Sequence, residues 1–148
     1  MRRALRVIRA GAWPHEKGSG TVTLGFDDRY RRRLRLATDA GETFLLDLPH
    51  ASVLEDGDGL ALDDGGWLAV RAAPEPLLEI RAATAEQLAR LAWHIGNRHI
   101  AAQMLADRIL IRVDAVIEEM LRGLGATLRR IEAPFTPERG AYDDHVHR

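Results

Sequence analysis

Six histidines are spread along this chain, and three of them form a set suited to handling a divalent metal ion. His99 ends the run Gly96-Asn97-Arg98-His99, just past a stretch of helical periodicity. His145 and His147 lie at i and i+2 in the polar segment after Tyr142, a tail read as flexible. Neutral imidazole is a ligand for nickel, zinc or copper(II). With no cysteine, the chain has no disulfide, no thiolate metal site and no cysteine nucleophile. Any transition-metal site must therefore use imidazole, carboxylate or water, and Asp143 and Asp144 offer carboxylates near the tail histidines. No other combination of residues has the makings of a reaction centre. Gly57-Asp58-Gly59 lacks the surroundings of a phosphate or dinucleotide loop and reads as a turn.

The neighbours of His99 read as positioning groups. His94 lies five residues earlier, which in a continuous helix is about 140° round the axis, so the two imidazoles would not share a face. Gly96 reads as the helix stop, and Asn97 as the residue that tolerates a left-handed exit. Arg98 is no ligand, because its guanidinium stays protonated; it is expected to hold the loop, pair with a carboxylate or line an interface. His15 and His50 sit in expected loops and read as surface residues.

The elements that must carry these groups fall into two halves. In the first, Thr21–Phe26, Arg33–Leu36 and Thr43–Leu48 have strand character, with Pro49 expected to end the last of them. Asp56-Gly57-Asp58-Gly59 and Asp63-Asp64-Gly65-Gly66 are turns around further short strands, and the pattern predicts a small all-β domain of two short sheets. Ala72-Ala73-Pro74-Glu75-Pro76 punctuates the chain and marks a boundary.

The second half predicts strand Leu77–Arg81, then a helix opened by the capping box Thr84-Ala85-Glu86-Gln87, with Leu88, Leu91, Ala92 and Ile95 on one face. Strands Ile100–Leu105 and Arg108–Arg112 follow, the second alternating inward Ile109, Ile111 and Val113 with outward Arg108, Leu110 and Arg112. Asp114 caps a second helix bearing Ile117, Met120, Leu121 and Leu124, Gly125 ends it, and Ala126–Ile131 is a last strand. The order βαββαβ is the ferredoxin-like pattern. The fold class is thus α+β, with a β-rich domain over 1–73, a ferredoxin-like domain over 74–142 and a short histidine-bearing tail over 143–148.

Composition narrows the classes further. The chain has 148 residues, 46% of them hydrophobic but only 5% aromatic, so its core is aliphatic. The net charge of −1 gives no general argument for nucleic acid or an anionic membrane. No apolar run approaches the roughly 18 residues of a membrane span, and the start of the chain lacks a signal-peptide core; the cytoplasm is the expected location. Arg29, Arg31, Arg32, Arg33 and Arg35 form the one strong basic cluster. With only Tyr30 among them it lacks the interleaved aromatics of a nucleic-acid surface, so a solvated strand face is expected, with an acidic protein partner next.

Several of these segments, taken in order, resemble one family. Trp93-His94-Ile95-Gly96-Asn97-Arg98-His99, Asp114-Ala115-Val116-Ile117-Glu118-Glu119-Met120-Leu121, Leu124-Gly125 and Pro134-Phe135-Thr136-Pro137-Glu138-Arg139-Gly140-Ala141-Tyr142 are similar to motifs of the UreE urease accessory family. So are Asp27–Arg33, Leu46-Asp47-Leu48-Pro49, Gly57-Asp58-Gly59-Leu60 and Ala72–Leu77. The resemblance implies no enzyme but a cytoplasmic nickel metallochaperone: a homodimer that delivers Ni2+ towards apo-urease with the GTPase UreG; the charge and hydropathy above add the expectation that it binds neither nucleic acid nor membrane. It implies that His99 of both subunits meets at the interface as the central ligand, with His145 and His147 as further ligands. Zn2+ or Cu2+ would fit the same donors. Ala115 stands where the family often has a histidine, which removes that accessory ligand, and two tail histidines suit transfer rather than bulk storage. The competing reading is a peptide-binding accessory module in which metal is incidental.

Overall fold

The computed structural model describes residues 1–138, which form two compact units, Met1–Ala73 and a second from Pro74 onward.

The first unit runs β1 (Arg2–Ile8), a 3-10 turn (His15–Lys17), β2 (Gly18–Leu24), a four-residue helix α1 (Phe26–Arg29), β3 (Tyr30–Ala37), β4 (Thr43–Val53), β5 (Gly59–Leu62) and β6 (Trp67–Ala72). These strands form one six-stranded sheet in the order β2-β6-β5-β1-β4-β3, not the two short sheets expected. The reason is non-local: β1 pairs with β4 in parallel on one side and with β5 antiparallel on the other, joining what turn signals alone would separate. Val22, Leu24, Leu36, Phe44, Leu46, Leu60, Leu68 and Val70 from across the sheet share one buried cluster, so one face of the sheet wraps a single aliphatic core. Asp39, just past β3, accepts from the Thr23 amide at 3.2 Å and its hydroxyl at 2.9 Å, tying the end of one edge strand to the other edge strand, β2.

β4 continues through Pro49 instead of ending there. Its pairing with β3 jumps from Arg33↔Asp47 to Arg31↔Ser52, so Pro49 falls within a bulge, where the ladder does not need its missing N–H.

Trp13 is buried beneath β5, its indole N–H donating to the Gly57 carbonyl at 3.0 Å. It lies so close to Gly59 that a Cβ there would sit 2.5 Å from Trp13 Cδ2. Only a hydrogen fits.

The second unit runs β7 (Pro74–Arg81), α2 (Ala85–Asn97), β8 (Ala102–Met104), β9 (Ile109–Arg112), α3 (Ala115–Gly123) and β10 (Thr127–Pro134). Its antiparallel sheet has the order β10-β7-β9-β8. Leu91 and Ile95 of α2 and Ile117 and Leu121 of α3 pack with Leu78, Ile80, Ile109 and Ile111 of the sheet. β7 starts at Pro74, three residues before the expected strand, and includes both prolines. Along Pro74–Pro76 it pairs only with β10, since pairing with β9 begins at Leu77; one flank there has no ladder to donate into. Leu110 is buried like Ile109 and Ile111, because β9 is an interior strand covered on both faces at these residues.

Local signals set both helix starts. The Gln87 amide donates to Thr84 Oγ1 at 3.0 Å while Gln87 Oε1 accepts from the Ala83 amide at 3.1 Å, a capping box shifted by one residue on its return bond. Asp114 accepts from the amides of Val116 and Ile117. α3 ends in a Schellman motif, with Gly125 at φ +86° and the Ala126 amide donating to the Leu121 carbonyl at 3.1 Å. The Gln87 side-chain Nε2 donates to the Leu124 and Gly125 carbonyls, so the start of α2 is bonded to the end of α3.

Glu79 on β7 is buried and faces Arg81, Arg108 and Arg129 at 3.2, 2.6 and 3.3 Å. Burial pushes its carboxyl up, but the hydrogen bonds from Arg108, Arg81 and Arg129 together outweigh this and hold it below 4.5, the ordinary value.

Two outcomes follow from this packing. Gly59→Ala should lose about 1–3 kcal/mol, as overpacked cores do. Gly123→Ala, on an exposed helical position with open space around it, should be neutral or gain about 0.5–1 kcal/mol. Thermal melts of the two variants against the parent check both. A depressed carboxylate stabilises the fold above its unfolded value and loses that contribution as pH falls through the folded one. Urea midpoints should therefore drop more steeply below about pH 4.5 in the parent than in Glu79→Gln; parallel curves would remove Glu79 from the acid response.

Candidate metal centre

α2 does not stop at Gly96. It runs one residue further to Asn97, with Arg98 as its C-cap. Gly96 has no positive φ, and the left-handed residue is His99 itself, at φ +56°. The turn is closed by the Arg98 amide on the Ile95 carbonyl and the His99 amide on the Gly96 carbonyl, both at 3.1 Å. A non-glycine residue in this conformation is uncommon and costs free energy unless its surroundings impose it. Here the imposition is tight. Leu91 and Ile95 anchor α2 in the core, Ala102 pairs with Ile111, and only residues 98–101 span the gap.

His99 is exposed, and it sits at the carbonyl end of α2, where the helix dipole favours a cation. The other expected positioning groups lie on the same turn and use the backbone. His94 is in the last turn of α2, half-buried, edge-on to the exposed Trp93 ring at 5.1 Å between centroids. Arg98 donates to the His94 carbonyl at 3.1 Å, capping the helix, and forms no carboxylate pair among the described residues. Asn97 is exposed as the last helical residue.

Among the described residues no three groups of metal-ligating type come together. His145 and His147, with Asp143 and Asp144, lie outside the described residues. His15 and His50 belong to the first unit: both are exposed, His15 against the Trp13 ring at 4.0 Å between centroids and His50 within β4 rather than in a loop. Glu118 and Glu119 are used structurally, each pairing with Arg122, and Glu118 also with Arg130.

One positioning feature escaped the sequence reading. After β10 the chain turns back beside β8: the Thr136 amide donates to Gln103 Oε1 at 3.0 Å and the Glu138 amide to the Ala102 carbonyl at 2.8 Å. The chain thus enters the tail three residues in sequence from His99's own turn. Beside it a groove of about 160 Å3 is lined by Ala92, Ile95, Gly96, Ile100, Ala102 and Met104, among others. A Cβ on Gly96 would meet nothing within 4 Å, and Trp93 and Met104 are exposed at 63% and 41%. Ile100, the residue after His99, thus lines an open and mostly apolar groove, while Asn97 and Arg98 before it are exposed and polar. Trp93 gave the available signal, since it stands outside the Leu88–Leu91–Ala92–Ile95 stripe.

The strain at His99 has a measurable consequence. His99→Asn keeps a residue that tolerates the left-handed region and should melt near the parent temperature. His99→Val should lose about 1–3 kcal/mol. Equal melting temperatures for the two variants would mean that the turn relaxes freely.

Comparison with known proteins covers the whole chain. Residues 2–73 match the model of the UreE urease accessory protein N-terminal domain, and residues 75–148 that of its C-terminal domain. A urease accessory protein UreE of Bradyrhizobium sp. (strain ORS 278) is 52% identical over 99% of this chain and 70% of its own length. One from Bradyrhizobium sp. (strain BTAi1) is 52% identical over 99% and 71%. One from Chelativorans sp. (strain BNC1) is 52% identical over 89% and 84%.

Proposed function

The chain belongs to the UreE family of urease accessory proteins, which is not a family of enzymes, and from that premise we propose that it is a nickel metallochaperone whose Ni2+ cargo is held by His99. The observation that supports this reading is the placement of His99: an exposed imidazole on an imposed left-handed turn at the cation-favouring end of α2, next in sequence to Ile100, which lines an open and mostly apolar groove.

One imidazole holds nickel weakly. A two-fold axis through the open surface would bring a second His99, because an isologous interface repeats each residue across the axis. The bare Gly96, the exposed Trp93 and Met104 and the apolar groove beside them are what such a homodimer would cover. In this reading the second unit, over 74–142, is ferredoxin-like and carries metal and dimer interface, as its element order and the sheet order β10-β7-β9-β8 suggest. The first, over 1–73, engages protein partners.

His145 and His147 would complete the metal's shell. His145 is seven residue steps beyond Glu138, at most about 25 Å of extended chain, and Glu138 is bonded to Ala102, near the turn. Reach is therefore no obstacle. Ligands on such a tail exchange quickly, which suits handover to the urease assembly machinery, with UreG the expected GTPase partner, in the cytoplasm. No helix among the described residues is long and apolar enough to cross a membrane. His94, Asn97 and Arg98 keep the turn in shape without touching the metal. Zn2+ and Cu2+ fit the same donors, so nickel rests on the family.

Calorimetric titration of Ni2+ into the parent and His99→Ala, with the mass of each species measured, tests the proposal. The expected result is one tight nickel per dimer in the parent, lost in the variant while the dimer persists. Because imidazole must be neutral to bind, affinity should fall between about pH 7.5 and 5.5. Unchanged binding in His99→Ala, or an affinity flat across that range, would overturn the assignment.

A further inference from the structure

The outer face of the six-stranded sheet carries a charge pattern that the metal site does not use. Leu34 and Leu36 of β3 and Leu46 of β4 point into the core or pack against it, so Arg33 and Arg35 of β3 and Leu45 and Asp47 of β4 face outward. The register sets Arg3 of β1 opposite Leu45, and Leu45 opposite Arg35, making a row of Arg, Leu and Arg across three strands. In the next row Arg33 stands opposite Asp47. Arg3 reaches across to Asp47 at 2.6 Å. That bond, with the charges of Arg33 and Arg32, holds the Asp47 carboxyl below its ordinary value although partial burial pushes it up.

Asp47 is thus one carboxylate among Arg3, Arg32, Arg33 and Arg35, in a chain whose net charge is −1. Arg33 and Arg35 are exposed and make no side-chain hydrogen bond or ion pair among the described residues. The chain does not lack acids to neutralise them: Arg2 pairs with Glu42, Arg9 with Asp58 and Arg90 with Glu86. The excess is local to this face. β3 is also an edge strand, so its outer backbone flank has no partner strand in the sheet. Aromatic side chains, on which bases would stack, do not interleave with these arginines. An extended polypeptide needs neither stacking nor a pocket. It needs a strand edge or face and opposite charge at a two-residue repeat, and Arg33 and Arg35 supply that repeat.

We propose that the outer face formed by Arg3, Arg33 and Arg35 is a docking surface for an extended acidic segment of a partner protein. The proposal is independent of nickel binding and of His99.

The test uses the full chain and a fluorescein-labelled peptide of alternating glutamate and glycine, with its glutamine counterpart as control. Binding is read by anisotropy at about 0.01 M salt, where charges act over about 30 Å. The glutamate peptide should bind and the glutamine peptide should not, with affinity falling as salt rises. Arg33→Glu with Arg35→Glu should weaken binding by about tenfold or more, and the charge-neutral pair Arg33→Gln with Arg35→Gln by less. Arg90→Glu with Arg122→Glu makes the same change in net charge on the second unit and should alter binding by less than about twofold. Circular dichroism melts confirm that each variant is folded, and nickel affinity should be the same in all of them. Absence of binding by the parent would overturn the proposal, as would equal weakening by the two reversed pairs. So would tighter, Arg33- and Arg35-dependent binding of a single-stranded oligonucleotide of equal charge, which would make this a nucleic-acid surface.

Discussion

The short passage from α2 to β8 governs the second unit. Its helix is anchored through Leu91 and Ile95 and its strand through pairing with β9, and neither can shift without opening the core. Residues 98–101 must therefore reverse the chain over a fixed distance, and the left-handed conformation falls on His99. Glycine or asparagine would make that turn more cheaply. A histidine there means that the fold tolerates an energetic cost at a residue whose side chain can coordinate a metal. Strain of this kind is kept where the surroundings over-determine it, and it fixes the direction in which the Cα–Cβ bond of His99 leaves the chain.

The surroundings of that turn share its economy. Arg98 is spent on the His94 carbonyl and closes the helix, so a long cationic side chain next to the imidazole is tied to the backbone instead of free to compete for the same space. Glu138 bonds to Ala102, which fixes where the chain departs after β10. Gly96 leaves bare a position where a side chain would meet no atom of the same chain. Arg98 and Glu138 thus stabilise the turn within one chain, and Gly96 leaves space beside it that the described residues do not fill.

Legibility in the sequence followed range. Signals within four or five residues were readable: the Thr84–Gln87 capping box, Asp114 as N-cap, Gly125 as the left-handed terminator and the apolar stripes of both helices all have short-range causes. Pro49, Pro74 and Pro76 were misread as strand breakers, because whether a proline harms a strand depends on the flank its missing N–H faces, and that is decided by partners far along the chain. The single sheet of the first unit was hidden for the same reason, since the β1–β4 and β2–β6 pairings are parallel and no hairpin signal announces them. At the candidate site, composition and motif pointed to His99, but its backbone conformation was assigned to its neighbours. Asn97 has the right propensity and the wrong position, because helix length was set by the burial of Ile95 and not by Gly96.

The electrostatics of the fold leave the imidazole range undisturbed. Among the described residues four carboxyls are held below their ordinary values: Asp39 chiefly by the Thr21 hydroxyl, Asp47 by Arg3, Glu118 by Arg130, and Glu79 by three arginines against the opposing effect of its burial. Their partners are hydroxyls or guanidiniums, none of which gains or loses a proton near neutrality. These contacts hold their carboxyls in the charged form, so none of them depends on a proton gained or lost where imidazoles ordinarily titrate, about 6.5. The turn that presents His99 is closed by backbone hydrogen bonds, which do not titrate at all. The cores themselves are apolar and carry no titratable group that changes charge in that range.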